Sequence, residues 1–169
     1  MIPPGVAVVL GLMLAAAPGP ESRPAETRPA REEVAIAGEL FRLDLAADRT
    51  TRTRGLGGRQ EIPDHGGMLF VFPDTRHRSF WMKGCLVDID LVFLDSRGRI
   101  VAVHTMKIEP PRTARETAAD YERRLKLYAG NRPTRFAIEL KTGSIERLKL
   151  ETGQMIELDL VRLKKKARW

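Results

Sequence analysis

Residues 67–95 read GMLFVFPDTRHRSFWMKGCLVDIDLVFLD, and the fold class is decided in this stretch. Gly66 and Gly67 open the apolar run Met68-Leu69-Phe70-Val71-Phe72, which Pro73 closes; breakers on both sides of such a run predict a buried strand. Residues 79–82 and 87–94 read as two further strands. Ser96-Arg97-Gly98-Arg99 is a hairpin turn in which Gly98 can take a positive φ, so residues 100–106 are expected to pair back on 87–94.

The pattern continues on both sides. Upstream, Leu40, Phe41, Leu43 and Leu45 nearly alternate with polar residues and predict the first strand. Asp48 is positioned to cap a short helix that Gly55 to Gly58 would end. Downstream, residues 109–115 form a proline-containing loop. Tyr121, Leu125 and Tyr128 then share a helical face within residues 116–128. Phe136-Ala137-Ile138-Glu139-Leu140 is another strand, and Ser144 can cap a short helix through Leu148. After Gly153, Ile156, Leu158 and Leu160 alternate with Glu157 and Asp159, which predicts a last strand over residues 155–161. The result is a mainly β fold, a small antiparallel β-barrel or sandwich of six or seven strands with two or three short peripheral helices.

The 169 residues fit one such domain plus tails. Residues 6–17 are an apolar run shorter than the roughly 20 residues that span a bilayer. The run resembles the core of a secretory signal, with Ala15-Ala16-Ala17 supplying small residues for cleavage. Residues 1–17 are therefore expected to be a signal peptide or a retained N-terminal apolar anchor, followed by a Pro/Ala-rich linker over 18–33 and one β-rich domain over 34–161. The protein is expected to be exported to a periplasmic or extracellular location. Its single cysteine, Cys85, leaves no internal disulfide. The net charge of +7 is concentrated at the C-terminus: Arg162, Lys164, Lys165, Lys166 and Arg168 lie within residues 162–169 with no acid among them. That segment reads as a basic tail able to touch an anionic surface.

The 67–95 stretch, with its flanks, resembles domain-of-unknown-function family 192. The family pattern appears as Arg52, Arg54-Gly55-Leu56 and Arg59, then Gly67-Met68-Leu69-Phe70-Val71-Phe72, Trp81-Met82-Lys83 and Ile89-Asp90. It continues through Phe93-Leu94-Asp95, Gly98, Phe136 to Leu140, Gly143 and Gly153. Gly57 stands where the family has Met, Gly84-Cys85 where it has Asn-Thr, and Asp88 where it has proline. A ligand hydrogen bond made by that Asn side chain could not be made by Gly84. The resemblance implies a compact β-barrel-like fold and frequent export, without an established activity.

Candidate site residues come from polar groups set among apolar ones. Asp90 lies among Ile89, Leu91, Val92 and Phe93, where a carboxylate is costly unless paired. Arg54, Arg59 or Lys83 is the expected partner. Glu139 sits mid-strand and, with Asp90, would give a carboxylate pair for acid–base work. Trp81 beside Phe80 and Lys83 offers a ring for a sugar, peptide or nucleobase. The candidate pocket is thus Arg54, Arg59, Trp81, Lys83, Asp90 and Glu139. Cys85 reads as a small buried hydrophobe before it reads as a nucleophile. The three His and the lone Cys show no metal-ligand spacing, and no phosphate loop or dinucleotide fingerprint occurs, so no metal and no cofactor are expected. No catalytic motif is present. These observations favour an exported binding or accessory module, probed by an unknown small ligand or envelope component. The alternatives are a hydrolase or lyase acting on envelope carbohydrate through Asp90 and Glu139, or a structural domain docking through its basic tail. A monomer without specific nucleic-acid binding is expected.

Overall fold

The computed structural model describes residues 30–169; the expected signal or anchor, and most of the linker, lie outside the described residues. The chain runs β1 (Arg31–Ile36), β2 (Glu39–Ala46), α1 (Arg49–Arg54), β3 (Gly66–Arg76), β4 (Ser79–Phe80), β5 (Ile89–Leu94) and β6 (Ile100–Met106). It continues through α2 (Ala118–Arg124), β7 (Tyr128–Ala129), β8 (Thr134–Lys141), α3 (Ser144–Arg147) and α4 (Leu160–Lys166). The fold is mainly β. One six-stranded sheet has the order β1-β2-β3-β8-β5-β6, and β4 and β7 form a separate two-stranded ribbon. The large sheet does not close into a barrel; β1 and β6 remain its edges.

All pairings in the large sheet are antiparallel except β2 with β3, which run parallel. That exception follows from the connection: α1 and the loop after it carry the chain back over the sheet before β3 begins. Asp48 caps α1 by accepting a hydrogen bond from the Thr51 N–H at 2.9 Å. Every residue of β5 is buried, because the sheet is apolar on both faces and both are covered. One face carries Leu43, Leu69, Val92, Leu94, Ile138 and Leu140 and packs against residues from the C-terminal segment, among them Leu148, Ile156 and Leu163. The other carries Met68, Phe70, Leu91, Phe93 and Ala137 and packs against Leu56, Ile62, Met82 and Tyr128. Phe41, Phe70, Phe93 and Phe136 are fully buried, each contributing about 1.5–3 kcal/mol through loss of apolar surface from water.

Several expected elements differ. Residues 155–161 are not a strand: Met155 makes one isolated bridge to Arg99, and the chain turns into α4. Asp159 accepts from the Arg162 N–H and caps that helix, which outweighs the short alternating pattern before it. The 162–169 segment is accordingly no free tail. Leu163 is buried, and Arg162 and Lys166 both bond Glu32 of β1, with Arg162 Nη2 at 2.6 Å from its carboxylate. Burial opposes ionisation of Glu32, yet the two cations hold its pKa below the ordinary value. Strand β1 itself starts at Arg31, taking residues from the stretch read as linker, with Val34 and Ile36 on its buried side. The 79–82 strand shortens to two residues, and β5 begins at Ile89 rather than 87, since Lys83 and Gly84 turn the chain between them. Gly143 rather than Ser144 occupies the N-cap of α3.

Candidate ligand-binding site

A cavity of about 540 Å³ opens beside the second face of the sheet, between α1, the end of β3 and the β4 segment. Glu139 lies on its lining and belongs to the centre of the sheet, on β8. Its neighbours across the sheet are Met68 and Leu91, so the carboxyl shares a face with apolar side chains. The C-terminal end of α1 closes over it. Gly55 caps that helix at φ +53°, a conformation that disfavours a side chain, and a Cβ there would sit 3.3 Å from Glu139 Oε2. The Leu56 N–H can therefore donate to Glu139 Oε2 at 3.1 Å. Burial pushes the Glu139 carboxyl up to about 7; the Leu56 N–H and the charge of Arg59 pull the other way without offsetting it.

Around this group stand five cationic side chains: Arg52, Arg54, Arg76, Arg78 and Lys83. Lys83 pairs with Glu122, and Arg76 and Arg78 share Asp74. Arg52 and Arg54 have no carboxylate partner among the described residues. Arg52 instead donates to the carbonyl oxygens of Ala47, Val71 and Arg168. Arg78 stacks on Phe72, its guanidinium carbon 3.7 Å from the ring centroid, and its buried Nε has no hydrogen-bond partner among the described residues. Phe80 meets Phe70 edge-on at 5.0 Å between centroids and Phe93 at 5.4 Å, which fixes the apolar side of the cavity. Trp81 points outward from the same segment, 36% exposed, with Lys83 Nζ 5.5 Å from its ring centroid.

The structure brings Arg54, Trp81, Lys83 and Glu139 to this cavity and leaves out the other two expected members. Arg59 binds Asp44 on β2 at 2.6 Å, a carboxylate that also accepts from Arg31 at 2.9 Å. Asp90 is fully buried but has no cationic partner among the described residues, contrary to the expected ion pair. It accepts from the Thr105 hydroxyl at 2.9 Å and from the Ile145 N–H in the first turn of α3 at 2.8 Å. Two neutral donors and the positive end of a helix turn do the work assigned to a cation. Asp90 pairs in register with Leu140 and Glu139 with Leu91, so the two acids face opposite sides of the sheet. A shared acid–base reaction between them is excluded by that geometry.

Cys85 is half-buried on the cavity lining, and burial, reinforced by the Glu139 charge, pushes its thiol up to about 12. A thiol so protonated is a poor nucleophile. Among the described residues no three His, Cys, Asp or Glu side chains come together in a metal-binding group, and no helix is long and apolar enough to cross a membrane. Sequence reasoning missed Arg76 and Arg78. The signal for them was the Arg76-His77-Arg78 run between two apolar strands, which resembles an ordinary solvated loop.

Three comparisons bear on this arrangement. The DUF192 family model, described as "Uncharacterized ACR", matches residues 32–158. No curated protein matches the chain. Solved structures are similar to it, two of which follow. One, from Sinorhizobium meliloti 1021 and provisionally named a transcription regulator, is 26% identical, with a TM-score of 0.62 over 78% of this chain and 96% of its own. The other, a protein of unknown function from Novosphingobium aromaticivorans DSM 12444, is 22% identical, with a TM-score of 0.65 over 85% of this chain and 94% of its own; its likeness is one of fold.

Proposed function

We propose, from the premise that this chain belongs to the DUF192 family, that it is an exported binding module whose Glu139 cavity takes a small anionic ligand bearing a ring. The observation that carries this reading is the lining of the cavity: Arg52 and Arg54, which have no carboxylate partner among the described residues, and three ion-paired cations stand around one buried, readily neutralised carboxyl, and aromatic rings form a wall. Arginine forks suit carboxylate or phosphate oxygens, and Trp81 offers a face for a ring. The protonated Glu139 carboxyl donates a hydrogen bond at the cavity floor, while its ionised form repels an anion. Binding of an anion is accordingly stronger below about pH 7 than above it.

Titration calorimetry with nucleoside monophosphates and aromatic carboxylates tests the reading. Arg54→Ala, which removes an exposed cation without an ion-pair partner among the described residues, should weaken binding by about tenfold or more. Unchanged affinity in that variant would remove the cavity from consideration. The export half of the reading rests on residues 6–17. Fractionation of the host with mass measurement of the N-terminus tests it, and an intact chain confined to the cytoplasm counts against it. Any contact of the 162–169 segment with an anionic surface falls to Lys164, Lys165 and Arg168, because Arg162 and Lys166 are committed to Glu32.

A further inference from the structure

A second cavity of about 440 Å³ lies beside the first. The two share Arg52, Thr53, Phe72, Arg76 and Arg78, so a single strip of side chains is common to both. The second adds Arg49, Pro73 and Trp169, which is 77% exposed. Together the linings hold six cations and one acid, the buried Glu139; Arg76 and Arg78 share Asp74 and Lys83 pairs with Glu122, which leaves Arg49, Arg52 and Arg54 without a carboxylate partner among the described residues. Five of the six are arginines. The chain's two tryptophans stand one in each lining, Trp81 in the first and Trp169 in the second.

We infer that the two cavities form one trough that holds a short single strand of nucleic acid through its phosphates and its base faces. The inference rests on the reading of the Glu139 cavity as an anion site and extends it to a ligand with several anionic groups in line. Two cavities in contact, each cationic, suit a chain of repeating charges better than one compact anion. Arginine meets phosphate oxygens two at a time, and a row of such contacts tracks a phosphodiester backbone. Exposed aromatic rings flanking the cations then discriminate among polyanions. A phosphate or carboxylate polymer without rings has nothing to place on Trp81 and Trp169, whereas unstacked bases do. In a duplex the base faces are already stacked on each other, so a single strand is the form that fits. Every base has such a face, and the recognition is tolerant of sequence.

Because the two tryptophans lie in different cavities, fluorescence reads each separately. Trp169→Phe leaves Trp81 as the reporter of the first cavity, and Trp81→Phe leaves Trp169 as the reporter of the second. A short oligothymidylate should quench both, bind more tightly than thymidine monophosphate, and weaken steeply with salt. Thymidine monophosphate should quench Trp81 and leave Trp169 unchanged. Arg49→Ala should lower the salt slope for the oligothymidylate by about one while leaving the mononucleotide unaffected. Quenching of Trp81 by the mononucleotide, with an oligothymidylate that binds no more tightly and leaves Trp169 silent, overturns the trough and leaves the Glu139 cavity standing. No quenching by either probe overturns both for phosphate ligands. Equal affinity for polygalacturonate, a polyanion of carboxylates, overturns the assignment to nucleic acid.

Discussion

Glu139→Gln separates the charge of the buried acid from its shape. In the folded chain burial lifts this carboxyl from the ordinary 4.5 to about 7. Across that interval the native protein keeps a proton that the unfolded chain has already released. Stability attributable to this group therefore falls as pH rises, in the opposite sense to a salt-bridged carboxylate. At about 1.4 kcal/mol per pH unit, the loss across the interval comes to about 3 kcal/mol. Glutamine has nearly the same volume and retains an oxygen to accept from the Leu56 N–H, but it does not titrate. Urea unfolding of wild type and variant at a series of pH values isolates the effect, since all other titrating groups are common to both. The variant should gain on the wild type by about 3 kcal/mol between about pH 4 and about pH 8. Parallel stability curves would refute the argument, because they would mean that the Glu139 carboxyl ionises as easily in the folded chain as in water.

Three further outcomes are expected. Asp90→Asn should cost about 1–3 kcal/mol, measured by urea melting, because one of its two neutral donors loses its acceptor; ligand affinity should be unchanged, and an affinity loss without destabilisation would contradict the placement of Asp90 on the far face from the cavity. A thiol-reactive dye should label Cys85 slowly in the native protein and rapidly in urea; fast native labelling would show a thiol far more acidic than its burial implies. Glu32→Gln should loosen α4, so that limited trypsin cuts within residues 162–168 faster than in wild type; equal cutting rates would show that the pairs to Glu32 are not what holds the helix.

The central strands were legible because their signals are local. Gly66-Gly67 before a run of large apolar residues, and Gly98 within a polar turn, leave few other readings. The short helix after Asp48 was legible for the same reason, one capping side chain and one glycine stop. The last segment was not, because Ile156, Leu158 and Leu160 satisfy a strand pattern over too few residues to outcompete the cap at Asp159. Asp90 shows a deeper limit. Its burial could be read from its neighbours, but its partners are a hydroxyl from the next strand and a backbone N–H from residue 145, and a backbone donor leaves no mark in a sequence. The cavity was half legible: residues set among apolar strands were singled out, whereas Arg76 ends β3 and Arg78 follows it in the short link to β4, and both gain their meaning from what folds against them.

The position of β8 has a consequence for how the chain is made. It lies between β3 and β5 and bonds to both, yet it is the last strand of the large sheet to be synthesised. Until Lys141 has left the ribosome, the N-terminal three strands and the β5–β6 hairpin are two unjoined pieces, each ending in an unpaired apolar edge. The nascent chain therefore passes most of its synthesis without a finished core, dependent on whatever keeps such edges apart. A premature stop before Thr134 would release one chain carrying two unjoined pieces of sheet, whereas a stop after Lys141 would release a chain that holds every strand of the sheet.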